Sequence, residues 1–312
     1  MAQKNISSAK EELISSISLT AWSGLYILIT AFALVCNVSI ITVFAKKKCL
    51  RTRMNYYIIA LAFSDLLIAI VIIPLWLTVV WLYVIHKNNQ ASLITKIFGH
   101  LDIFGGMLSI LHLMVISLER LHAILLPLSH RFLRPASTIF VISAVWLASA
   151  VIAVTSVFLP KGLHWKGTFI IYTSIGFFVP FVVILTAYVS LTLLVKYRRD
   201  QLHRMHTKLS LRRERKLALT SFLIIVMFTV TWLPFFSINL IFYVCSNCAS
   251  TIPYHVVLTV KAVHYSGSAL NTLVYASRIT ELRRPIFMLL TPSREKKREQ
   301  YLAVKHYKET AV

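Results

Sequence analysis

Acidic residues are scarce in this chain. Only 11 aspartates and glutamates stand against 33 lysines and arginines in 312 residues, for a formal net charge of +22. A uniformly basic soluble surface would point to nucleic acid, but the basic residues are not spread that way. Glycine-rich linkers, low-complexity tracts and internal repeats are absent, which counts against a transporter built from two repeated halves. No intramembrane nucleophile–base pair and no metal-ligand cluster stands out, so enzymatic catalysis is not expected. Apolar residues, by contrast, are abundant: 57% of the chain is hydrophobic and mean hydropathy is +0.73.

The apolar residues fall into seven runs, near 22–45, 56–85, 97–118, 136–159, 168–195, 217–245 and 253–277. Each is long enough for a helix to cross a hydrocarbon core, which takes about 20 residues. The predicted fold is therefore all-α, a seven-helix membrane bundle. When the loops are taken alternately, 26 of the 33 lysines and arginines fall on one side. They cluster at Lys46–Arg53, Arg120–Arg134, Lys196–Lys216 and Arg278–Lys308. Such an excess marks the cytoplasmic side, placing the N-terminus outside and the C-terminus inside. Much of this charge should face anionic lipid headgroups and cytoplasmic partners, with no nucleic acid involved.

Three segments follow: an extracellular tail over residues 1–21, a membrane domain over 22–277, and a cytoplasmic end over 278–312. No cleavable signal peptide is evident, since the first apolar run is too long and Lys46-Lys47-Lys48 follows it. Asn5-Ile6-Ser7 is a glycosylation sequon on the outer tail. Leu202, Met205, Leu209 and Leu211 could continue the fifth and sixth helices into the cytoplasm. Ile279, Leu282, Ile286, Phe287, Leu289 and Leu290 alternate with Arg283 and Arg284, the pattern of a short amphipathic helix on the inner membrane face.

Only Asp65 and Asp102 among the carboxylates sit deep in a run. A charge at that depth costs roughly 2.5–3.5 kcal/mol on insertion scales, so it is expected to face the bundle interior. Asp102, Gly106 and Ser109 share one helical face, and Gly105 and Gly106 leave room beside Asp102 for a helix or a ligand. Small residues also serve close helix packing alone.

Motifs in every run, in order, resemble a rhodopsin-like (class A) G-protein-coupled receptor. They are Asn37; Leu61-Ala62-Phe63-Ser64-Asp65; Glu119-Arg120-Leu121; Trp146; Pro180 and Tyr188; Phe228 to Trp232-Leu233-Pro234; and Asn271-Thr272-Leu273-Val274-Tyr275. The resemblance implies a receptor at the plasma membrane that binds an extracellular small molecule and activates a heterotrimeric G protein, with arrestin and a receptor kinase as further partners. On the inner side it implies that Arg120 contacts the G protein and pairs at rest with Glu119 and Glu214. Tyr188 and Tyr275 would swing inward on activation, about the bend at Pro234. In the middle layer Asp65, Ser109, Ser268 and Asn271 resemble an allosteric sodium pocket, the alternative being a protonated Asp65 bonded to Asn271 with no ion.

The outer layer is closest to biogenic amine receptors. Asp102 stands where those receptors hold an ammonium, Tyr265 where they place its tyrosine partner, and Trp232, Phe235 and Phe236 form the aromatic floor. Asn239 and Tyr172 complete this candidate ligand set. A carboxylate beside aromatic faces attracts a cationic amine through charge and ring quadrupole together. Tyr172 and Gly176 replace hydroxyl-bearing serines, so a catechol is not supported. Lys261 lies one turn from Tyr265 and could neutralise Asp102 by an internal salt bridge. The ligand would then be a peptide, nucleoside or lipid. A retinal Schiff base on Lys261 is a further reading, although visual pigments carry their lysine at the position of Tyr265.

Other departures concern cysteine and proline. The family's usual disulfide is missing, because Thr95 occupies its first position and the loop from Pro160 to Thr168 has no cysteine. Cys245 and Cys248 remain as an extracellular pair, with metal binding alongside His255 as the other reading. Thr272 replaces the proline of the seventh-run motif.

Overall fold

The computed structural model describes residues 2–86, 93–158, 174–202, 208–245 and 252–278. Among these residues every long element is a helix. Helix α1 (Ala2–Lys46) is the first span, α2 (Arg53–Leu67) and α3 (Ile73–His86) form the second, and α4 (Leu93–Leu125) the third. A short α5 (Pro127–Phe132) precedes the fourth span, α6 (Pro135–Phe158). The fifth, sixth and seventh spans are α7 (Val179–Leu202), α8 (Lys208–Val244) and α9 (Tyr254–Arg278). α1 reaches back to Ala2, so the described part of the predicted outer tail is helical, and its strongly apolar stretch begins at Ser18. The N-terminal ends, where N–H groups lack helical acceptors, are closed locally. Thr52, for example, caps α2 by accepting the Asn55 N–H, and Pro127 and Pro135 open α5 and α6 where no N–H is needed.

Six of these helices are long and apolar enough to cross a membrane, and α9 is not one of them. The seventh run is thus a more polar span than the other six. α9 nevertheless packs against both α1 and α8 and has 25 residues, about 37 Å at 1.5 Å per residue. Its lower hydropathy has a local cause: Lys261, His264, Ser268 and Thr272 recur at helical spacing and are all buried. A span can hold such groups when they face neighbouring helices rather than lipid. Large apolar side chains elsewhere point outward, among them Leu28, Phe63, Ile70, Phe140, Leu147, Val182 and Leu193. That inside-out pattern suits hydrocarbon as the solvent.

Two π-helical turns interrupt the spans, Ile68–Ile72 before Pro74 and Ser174–Phe178 before Pro180. Proline lacks an N–H and crowds the preceding turn, and a wider turn relieves both defects. The first π turn also meets α4 closely. A Cβ on Gly105 would collide with the end of the Ile72 side chain and lie 3.2 Å from Ile68. Gly106 instead faces the Trp232 ring.

The inner core gathers Tyr57, Leu61, Ile110, Leu113, Ile184, Tyr188, Phe228 and Trp232; the outer one gathers Tyr26, Ile72, Trp76, Phe98, Leu258 and Tyr265. Between them Asn37 ties α1 to α9. Its amide donates to Ala33 O at 2.9 Å and Ser268 O at 3.2 Å, and its Oδ1 accepts the Thr272 hydroxyl at 2.6 Å. Proline at position 272 could not supply that donor. α7 runs to Leu202 and α8 starts at Lys208, so both helices extend past their apolar stretches. The predicted amphipathic segment over 279–290 lies outside the described residues.

Candidate functional site

The outer part of the bundle holds one ion pair between the third and seventh spans. Lys261 Nζ on α9 lies 2.5 Å from Asp102 Oδ2 on α4. Tyr265, one turn along α9, donates its hydroxyl to Asp102 Oδ1 at 2.8 Å, and Lys261 reaches the same hydroxyl at 3.4 Å. Both carboxylate oxygens are thus engaged by α9. The side chains retain only 10% and 13% of their exposure, so water screens the pair weakly. Removing one partner from such a pair strands a charge and costs about 3–5 kcal/mol, against about 0–1 kcal/mol at an open surface.

Aromatic rings close around the ammonium. Lys261 Nζ lies 4.4 Å from the Phe235 centroid, 5.1 Å from Tyr265, 5.3 Å from Phe98 and 5.5 Å from Trp76. His264 stacks on Phe235 with centroids 4.4 Å apart and meets Trp232 edge-on at 4.5 Å. Trp232 continues through Phe236 and Phe228 into a stack with Phe177. The floor of the site is therefore mechanically continuous with the inner core. Asn239 turns along its own helix, donating to Phe235 O at 2.7 Å, and Tyr172 lies outside the described residues.

Below this layer Asp65 is completely buried, and neither carboxylate oxygen has a hydrogen-bond partner among the described residues. Ser268 and Asn271 are its polar neighbours on α9, and Ser109 is buried on α4 without bonding to it. No group of three or more His, Cys, Asp or Glu side chains suited to a metal ion occurs among the described residues.

At the inner end Glu119 does not pair with Arg120, which corrects that expectation. Glu119 Oε1 instead accepts Arg53 Nε at 3.0 Å and lies 2.9 Å from His130 Nε2. Arg53 also donates to Ser137 at 3.0 Å. The reason is directional: on α4, adjacent residues point about 100° apart, so Glu119 faces α2 and α5 while Arg120 faces away. Arg120 Nε is buried without a partner among the described residues, and its charge bears on the Tyr188 hydroxyl, which is fully buried beside Ser117. The side chains of Glu214 and Tyr275 lie outside those described. Pro234 sits inside α8, two residues beyond Trp232. Cys245 is disulfide-bonded, and Cys248 and the Asn5 side chain lie outside the described residues.

The sequence profile of the 7 transmembrane receptor (rhodopsin family) matches residues 36–275, most of the chain and part of every span. The chain belongs to that family. The octopamine receptor beta-2R of Chilo suppressalis is 26% identical to this receptor over 85% of its length and 78% of the relative's own. The D(2) dopamine receptor A of Xenopus laevis is 32% identical over 54% of this chain, which spans 39% of that relative. The octopamine receptor beta-1R of Drosophila melanogaster is 25% identical, and the chain spans 56% of it. The receptor is thus a multi-pass membrane protein.

Several residues of the site escaped the sequence reading. Trp76 and Phe98 complete the aromatic box, His264 links its wall to Trp232, and Arg53 and His130 hold Glu119. The π turn at Ile68–Ile72 lies between Asp65 and Trp76, so the face of Trp76 does not follow from a regular helical period. His264 was legible only as the residue before Tyr265, a position that does not reveal ring stacking.

Proposed function

We propose that this receptor binds a small cationic amine at Asp102 from the extracellular side and activates a heterotrimeric G protein on the cytoplasmic side. One observation carries the reading: Asp102 and four aromatic rings, Tyr265 among them, already hold an ammonium, that of Lys261. Groups that hold a lysine head can hold a ligand's amine by the same charge and quadrupole attraction. The names of the relatives, octopamine and dopamine receptors, support an amine. Gly176, whose absent Cβ is filled by Met107, offers no hydroxyl to a catechol.

The ligand's ammonium takes Asp102 from Lys261 and bears on the Trp232–Phe236 stack. That stack runs into the core beside Tyr188, so a shift of α8 about Pro234 couples the outer site to the inner face. An agonist achieves this only by binding the active arrangement more tightly than the resting one. Arg120 and the basic segment between Lys196 and Lys216 form the docking face for the G protein, and for arrestin and a receptor kinase. The cytoplasmic charge excess orients the receptor in the plasma membrane with its N-terminus outside.

A second-messenger screen with compounds that carry an ammonium, biogenic amines and their parent amino acids, should find an agonist on the wild type. Asp102→Asn, matched for surface expression, should then cost about a hundredfold in potency. A response that survives the substitution assigns the ligand to another class.

Asp65, with Ser268 and Asn271 beside it, has the oxygen donors and single negative charge suited to a sodium ion, which would neutralise the carboxylate and favour the resting state. Sodium chloride, compared with choline chloride, should lower agonist affinity severalfold, and Asp65→Asn should remove the difference. Equal affinity in both salts would refute the ion.

A further inference from the structure

Lys261 makes the outer site a matched ion pair instead of a lone carboxylate, and this restricts the ligands it can accept. A simple amine that takes Asp102 leaves the Lys261 ammonium among aromatic rings with no counter-ion. Its neighbours are Trp76, Phe98, Phe235 and Tyr265. Asp65, Asp102 and Glu119 are the only carboxylates among the described side chains, and Glu119 is held by Arg53 and His130 at the opposite end of α4. An anion that takes Lys261 strands Asp102 in the same way. A ligand carrying both charges strands neither.

The Trp76 ring lies against the Lys261 ammonium, and its indole N–H faces the Tyr26 hydroxyl. One ammonium matches a single negative charge, hence a carboxylate better than a phosphate. Lys261 has a flexible four-carbon stem and Asp102 a short one, so the lysine is the partner that swings aside. The two charges of the ligand must therefore lie only a few bonds apart.

We propose that the receptor's ligand is a small zwitterion of amino-acid type, its ammonium on Asp102 and its carboxylate on Lys261. This rests on the reading of Asp102 as the ammonium site. The test uses matched triplets: each protein amino acid, the amine formed by its decarboxylation, and the acid lacking its amino group. Phenylalanine, phenethylamine and 3-phenylpropanoate form one such triplet. G-protein activation is read on wild type, Lys261→Met, Lys261→Gln and Asp102→Asn at equal surface expression.

For the triplet that activates best, the wild type should prefer the amino acid over its amine and its acid by about a hundredfold. Both Lys261 variants should reverse the order in favour of the amine, and Asp102→Asn should favour the acid. A wild type that responds to an amine as strongly as to its amino acid overturns the zwitterion, while loss of that response in Asp102→Asn keeps Asp102 as the ammonium site. Amines active on the Lys261 variants, with no amino acid active on wild type, overturn it equally. An amine response that survives Asp102→Asn removes both readings. The wild-type order needs no variant to fold, so the test stands on its own.

Discussion

Arg120→Ala is expected to abolish G-protein activation while leaving the amount of receptor at the cell surface near wild type. The second half of that expectation comes from the geometry. Arg120 forms no ion pair with another described residue, and its Nε has no hydrogen-bond partner among them. Deleting it removes stem packing and little else, a loss of about 0.5 kcal/mol. Its charge instead faces the buried Tyr188 hydroxyl at the inner end of the bundle, where an arriving partner would meet it. Nucleotide exchange on a G protein, measured beside antibody staining of intact cells, separates the two effects. Unchanged exchange would remove the role, and a parallel fall in staining would make Arg120 structural.

Glu119→Leu is expected to do the opposite: to lower stability without raising basal signalling. Glu119 is 8% exposed and its Oε1 serves both Arg53 and His130, so α4, α2 and α5 converge on one oxygen. Hydrogen bonds to charged groups contribute about 1.5–3 kcal/mol each, and leucine would leave the Arg53 guanidinium with Ser137 alone. A loss of about 2–3 kcal/mol is expected, seen as faster thermal inactivation in detergent. Neither partner of Glu119 lies on α8, so releasing it frees nothing that would let α8 swing outward. Arg53→Leu should cost a similar amount, and the double variant less than the sum. A marked rise in basal signalling in Glu119→Leu would show that Glu119 restrains activation after all.

The contrast between these neighbours marks how far sequence reasoning reached. Glu119 and Arg120 are adjacent letters in a recognisable motif, and the family resemblance implied that they pair. Side chains one residue apart on a helix diverge, so Glu119 found partners on α2 and α5 while Arg120 turned toward Tyr188. Lys261 is the reverse case. One turn from Tyr265, it was within reach of Asp102 by helical spacing alone, and the structure joins the two. What spacing could not supply was the choice between an open carboxylate and an occupied one, since that depends on how far α4 stands from α9. Thr272 likewise read only as a missing proline until Asn37 was seen to accept its hydroxyl.

By itself the sequence determined the solvent, the number of crossings and the family, because these follow from apolar length and motif order. Hydropathy is summed over a segment, and it survives ignorance of which face points where. Even the polar seventh span entered that count through its length and motif. The tertiary structure alone decided which charges meet. Contacts across helices depend on distances of an ångström and on rotations that a π turn or a glycine can change, as at Ile68–Ile72 and Gly105. The occupied state of Asp102, the Trp76–Phe98 box and the partners of Glu119 are facts of that kind.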